Sequence, residues 1–142
     1  MPDTQIQATL EKLGTAYRTQ NLALALSTMD ERVVWDISGP NDVPYCGVYY
    51  GHEGFSRFWW LLGTTVAFHE AGGHTTLYGD GVAVALGGEC GSLRATNRTY
   101  HYDWAVEYRF GADARIVTMR QYWDPGRIHA ALGSTLNWPG TK

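Results

Sequence analysis

Thr99-Tyr-His-Tyr-Asp-Trp-Ala-Val-Glu-Tyr-Arg-Phe110 alternates bulky and polar residues along most of its length. As an extended chain it presents Tyr100, Tyr102, Trp104, Val106 and Tyr108 on one side. His101, Asp103, Ala105, Glu107 and Arg109 fall on the other, the period of two that marks a strand with one face on a core. Arg115–Trp123 repeats the pattern, with Val117, Met119, Gln121 and Trp123 opposed to Ile116, Thr118, Arg120 and Tyr122. The first-named faces are expected under helices. Because the second face of Arg115–Trp123 is also partly apolar, a homodimer through the sheet face is expected.

Upstream of these two strands, the runs Thr64–Glu70, His74–Tyr78 and Val82–Leu93 read as further strands. Ala71-Gly-Gly73, Gly79-Asp-Gly81, Ala95-Thr-Asn-Arg98 and Gly111-Ala-Asp-Ala114 read as the turns between them. Earlier still, Asp3 or Thr4 can cap a helix carrying Ile6, Leu10, Leu13 and Tyr17 on one side, which Asn21 breaks. Leu22, Leu24 to Leu26 and Met29 give a short second helix, and Arg32–Ile37 is a β-branched strand stopped by Ser38-Gly-Pro-Asn-Asp-Val-Pro44. A third helix starts near Gly51 to Glu53 and groups Phe55, Phe58, Trp59 and Leu62, with Trp60 turned about 100° away. Asp124-Pro-Gly126 ends the last strand, and the tail from Arg127 reads as one helical turn and a frayed end. Helices followed by antiparallel strands predict an α+β fold, a curved sheet with helices on one face.

The chain has 142 residues, the size of one domain. Eleven Lys and Arg against 14 Asp and Glu give a net charge of −3 with no basic run, which argues against a nucleic-acid partner. No apolar stretch approaches the roughly 18 residues of a membrane span, and the first residues lack the pattern of a secretory leader. Cys46 and Cys90 are too few for a disulfide framework. A cytoplasmic protein with reduced thiols is expected, without membrane contact. Nineteen aromatic residues, 13% of the chain, suit both layer packing and an apolar small-molecule pocket.

Val33-Val-Trp-Asp-Ile-Ser-Gly39, Tyr50-Gly-His-Glu-Gly-Phe55 and Ile116-Val-Thr-Met-Arg-Gln-Tyr-Trp-Asp124, set after and between those helices and hairpins, resemble the SnoaL-like polyketide cyclases. The resemblance extends to the ketosteroid isomerases and limonene epoxide hydrolases, and covers about Gln5 to Asp124. It implies the cone-shaped nuclear transport factor two-like fold and cofactor-independent acid–base chemistry on an apolar, carbonyl- or epoxide-bearing small molecule. One fold of this kind hosts many chemistries, so the site must decide.

Asp36 matches the position of the isomerase base, where burial at the mouth of an apolar cavity would raise its pKa. The same position also suits a strand-end carboxylate accepting N–H bonds from the following turn. The isomerase oxyanion tyrosine falls near Lys12, with Tyr17 a turn and a half away, and its partner acid falls near Val106, which donates nothing. The resemblance to the epoxide hydrolases sets Glu89 and Asp124 as paired carboxyls, with Gly87 where an arginine would stand. Cap, turn or hairpin duty is the alternative for both. The cyclase acid–base residue falls at Gln121, which orients but does not exchange protons. The catalytic candidates are therefore Asp36, Asp124 and Gln121. Those for substrate binding are Trp35, Tyr17, Tyr102, Trp104, Val106, Met119, Trp123 and Trp59. A non-catalytic binding protein or dimeric accessory protein remains the competing expectation. His69, Glu70 and His74 lack a third ligand and are read as no metal site.

Overall fold

The computed structural model describes residues 3–133, apart from the side chains of Asp3 and His74. Helix α1 (Asp3–Thr19) is followed by α2 (Leu22–Ser27), and Asn21 does more than break the first, since its side chain accepts the Leu24 N–H at 3.0 Å and caps the second. Strands β1 (Met29–Ile37) and β2 (Gly47–Tyr50) lead into α3 (Gly51–Thr65). Then come β3 (Val66–Gly79), β4 (Val82–Leu93), β5 (Thr99–Phe110), β6 (Ile116–Trp123) and the short α4 (Gly126–Ala131). The six strands form one sheet in the order β2-β1-β6-β5-β4-β3, antiparallel except where β1 runs parallel to β6.

The α+β expectation holds, and so does the face assigned to β5. Tyr100, Tyr102, Val106 and Phe110 are buried in a core that includes Trp35 from β1, Met119 from β6 and Phe55 and Phe58 from α3. Ile116, assigned to the outer face, is instead fully buried, because the β5–β6 register shifts between Arg109 and Phe110. Trp60 is exposed as its helical position requires. Cys46 and Cys90 are free thiols. Among the described residues no helix is long and apolar enough to cross a membrane. The possible Asp3 cap, His74 and the tail beyond Gly133 lie outside what is described.

Ala71-Gly-Gly73 is the one turn reading that fails. Strand β3 runs straight through it, with Ala71, Gly72 and Gly73 paired to Glu89, Gly88 and Gly87 of β4 and register shifts on both sides. The glycines serve close approach. A Cβ at Gly87 would come within 2.4 Å of the Gly72 carbonyl oxygen and 2.5 Å of the Trp104 ring, and one at Gly91 within 2.9 Å of the Tyr100 hydroxyl. Small residues on β4 thus leave room for the rings of β5.

Gly87→Ala is expected to destabilise the protein by about 1–3 kcal/mol in urea unfolding, since both a backbone oxygen and a ring must move. Gly63→Ala, in α3 with open space around it, is expected to be neutral or to stabilise by up to about 1 kcal/mol. Equal effects at the two sites would contradict this account of the β4 glycines.

Candidate functional site: a carboxyl between two tyrosines

The inner face of β4 runs Ala83, Ala85, Gly87, Glu89, Gly91 and Leu93, opposite Tyr108, Val106, Trp104, Tyr102 and Tyr100 of β5 for the first five. Glu89 is the sole polar side chain in that row. The Tyr102 hydroxyl donates to its Oε1 at 2.5 Å and the Tyr100 hydroxyl donates to its Oε2 at 2.9 Å. The two tyrosine rings stack at 5.7 Å. Burial raises the Glu89 pKa above its ordinary value near 4.5, against the opposing pull of the two hydrogen bonds. Burial and the adjacent carboxylate also push both tyrosines up, so they remain neutral donors.

Tyr45 and Trp123 close one side. The Trp123 ring lies 4.9 Å from Tyr102 and stacks on Tyr45 at 6.0 Å. Tyr45 reaches this position from the loop between β1 and β2, which is fastened at several points. Tyr49 donates its hydroxyl to the Tyr45 carbonyl at 2.7 Å. Asp42 meets Nδ1 of the buried His129 on α4 at 2.8 Å. Gly39 faces Cys46 so closely that a Cβ there would lie 2.6 Å from its sulfur. Burial, with Asp42 nearby, pushes the Cys46 thiol up to about 12, so it stays protonated and unreactive at neutral pH. The Tyr45 hydroxyl is itself shifted up by burial and by Glu89.

The sequence candidates divide. Asp36 is not brought to the interior, which corrects the expected placement. Trp35 takes the inward position on β1, so alternation sends Asp36 outward. There its Oδ1 accepts the Ser38 N–H at 3.1 Å and the Ser38 hydroxyl at 2.5 Å, and Arg120 stands 4.0 Å away. Asp124 is likewise outside. It accepts the Gly126 N–H at 3.0 Å and pairs with Arg127 at 3.7 Å at the start of α4. Gln121 faces inward, paired with the buried Val106. Tyr102, Trp104 and Trp123 lie on the inner face around Glu89, with Trp104 across from Trp123.

Deeper in the fold, Trp35 makes an edge contact with Phe55 at 4.8 Å, and Met119 is buried beside it in register. Tyr17 stacks on Trp59 at 5.1 Å where α1 meets α3. His69 touches Ser92 at 3.3 Å, and among the described residues no group of three or more His, Cys, Asp or Glu is placed to hold a metal. Two open cavities flank the interior. One, of about 360 Å³, is lined by Tyr100, Arg98, Arg127 and Ala130; the other, of about 640 Å³, lies between α1 and β3.

The place of Glu89 is legible from strand register. Once the turn at Ala95–Arg98 sets Ser92 opposite Thr99, three steps along each strand bring Glu89 opposite Tyr102. Tyr45 carried no comparable signal, because its loop is positioned by long-range contacts.

No protein-family model matches the chain, and no curated protein matches its sequence. Solved structures do match in shape. An NTF2-like protein from Burkholderia xenovorans aligns with a TM-score of 0.82 at 18% identity, over 90% of this chain and 95% of that one. TerC, co-crystallised with polyporic acid, aligns at 0.81 and 18% identity, over 92% and 99%. A Catenulispora acidiphila protein with a ketosteroid isomerase-like fold, in complex with trimethylamine, aligns at 0.74 and 11% identity, over 92% and 95%. The chain therefore has the nuclear transport factor two-like fold that its sequence resembles.

A carboxyl whose folded pKa lies above its unfolded value costs stability once it ionises. The cost is absent below the unfolded value and complete above the folded one. Glu89→Gln keeps the shape and removes that charge. In urea unfolding between about pH 4 and pH 8, the variant is expected to gain on the wild type as pH rises. A difference that does not change with pH would contradict the raised pKa.

Proposed function

We propose that this protein is a small acid–base enzyme acting on an apolar, carbonyl- or epoxide-bearing molecule, with Glu89 as the group that exchanges the proton. The observation that carries the reading is the half-buried Glu89 carboxyl, whose partners among the described residues are two tyrosine donors and no cation. Desolvation raises its pKa above the ordinary carboxyl value, the direction that makes a carboxylate a better proton acceptor. Tyr100 and Tyr102 hold it in one orientation and stabilise its ionised form, while Trp104 and Trp123 supply apolar walls. This reading moves the base from Asp36, which is occupied by Ser38 on the outer face. Gln121 retains an orienting role on the inner face. The bound small molecules of two fold neighbours are consistent with a small-molecule site.

The active species is a homodimer through the outer face of the sheet. Leu86, Ala105 and Tyr122 stand in register across three strands there, and Leu77, Val48 and Tyr50 add further exposed apolar surface. A binding protein without catalysis is the second reading. It is favoured by the apolar Val106 at a position where oxyanion stabilisation would need a donor.

Acetophenone in deuterium oxide provides a general test, because exchange of its methyl protons requires only a base and a pocket. The wild type is expected to accelerate exchange as followed by proton NMR, and Glu89→Gln to lower that acceleration about 100-fold or more. Asp36→Asn is expected to leave it unchanged. Retention of activity in Glu89→Gln, or its loss in Asp36→Asn, would contradict the assignment. Binding without exchange by the wild type would favour the second reading.

A further inference from the structure

We infer that the Tyr45 hydroxyl and the Trp123 indole N–H form a donor pair that selects an uncharged ligand bearing a hydrogen-bond acceptor oxygen. The inference rests on Glu89 marking the site, and it assigns the specificity of that site to two residues outside the carboxyl–tyrosine trio. Both polar atoms are inaccessible to solvent and have no hydrogen-bond partner among the described residues. The Tyr45 hydroxyl lies close to Tyr102, but no hydrogen bond of acceptable geometry joins them. An unsatisfied buried donor is costly, and folded proteins retain few of them.

The rings that carry these two donors lie together. They stack on each other at 6.0 Å, and Trp123 lies against Tyr102, whose hydroxyl holds Glu89. Their positions are also fixed without a ligand. Tyr45 is held through its carbonyl by Tyr49, and its loop is tied to α4 by Asp42 and His129. Trp123 is the last residue of β6, in register with Trp104. A third buried donor, Trp35 Nε1, is set apart from this pair, since its ring packs among Phe55, Phe58 and Tyr108.

The chemistry of the pair defines what it accepts. An indole N–H only donates, and a neutral phenol has a proton to give. The ligand atom they meet is therefore an acceptor. Its charge is constrained by Glu89, whose hydrogen-bond partners are two neutral hydroxyls. A second negative charge beside it would find no compensating cation among those partners, so a neutral carbonyl or ether oxygen is favoured over a carboxylate.

Acetophenone, ethylbenzene and benzoate share one ring and differ in the group tested. Calorimetric titration of the wild type is expected to rank them in that order. Tyr45→Phe and Trp123→Phe are each expected to shrink the preference for acetophenone over ethylbenzene about fivefold, whatever either change does to the two affinities together. That ratio is insensitive to a general loss of stability. In the nitrogen–proton spectrum of the wild type, the Trp123 indole signal is expected to move downfield with acetophenone and not with ethylbenzene. An unchanged ratio in Tyr45→Phe, an unmoved indole signal or no binding of acetophenone would overturn the pair. If the pair fails while Glu89→Gln still abolishes deuterium exchange, the acid–base reading stands alone. If the pair holds while Glu89→Gln exchanges normally, the acid–base reading is the one that fails.

Discussion

The rings of β5 can lie flat on the sheet only where β4 withdraws its side chains, and this cross-strand constraint organises the interior. Trp104 needs the bare backbone of Gly87, and Tyr100 leans across Gly91. Between those two glycines stands Glu89, opposite Tyr102. A carboxyl placed there is covered by aromatic rings, loses its hydration and takes hydroxyl donors in return. The raised pKa of Glu89 is thus a consequence of steric matching between two strands. An alanine at position 89 alone would leave the two glycines in place and would carry no titratable group.

Two tyrosine bonds do not fully offset the burial, which is why the shift remains upward. The same aromatic wall leaves the Tyr45 and Trp123 donors without hydrogen-bond partners among the described residues, although both are held by other contacts. A site that combines a poised carboxyl with unspent donors is locally less stable than an apolar core of the same volume. Such local costs concentrate where function is carried out. The outer face of the sheet shows the opposite logic. There Asp36 is matched by Ser38 and Arg120, and its carboxylate has ordinary strand-end partners.

Much of this was legible in the residues. The alternation of Thr99–Phe110 gave the inner face, the α+β order gave the architecture, and the motifs gave a fold that the solved structures share. The β2 strand, Gly47–Tyr50, was not legible, because four residues between a proline-rich loop and a helix carry too little pattern. Ala71-Gly-Gly73 read as a turn because glycine marks both turns and close strand contacts, and only the pairing partner distinguishes them. Asp36 drew attention through its place in a motif, yet the alternation that buries Trp35 already sent it outward. Glu89 was visible through its resemblance to a paired carboxyl, and counting strand register from the Ala95–Arg98 turn sets it opposite Tyr102. Tyr45 could not be placed this way, since its position depends on Asp42, His129 and Tyr49, which lie in separate parts of the structure.

The site turns on the protonation behaviour of one side chain, and carbon-13 NMR of the Glu89 carboxyl reads it directly. The account predicts a titration midpoint above the ordinary value near 4.5, moving higher still in Tyr102→Phe as one bond to the carboxylate is removed. A midpoint at or below that value, insensitive to Tyr102, would show a solvated carboxylate and contradict the claim that this carboxyl is the centre of the site.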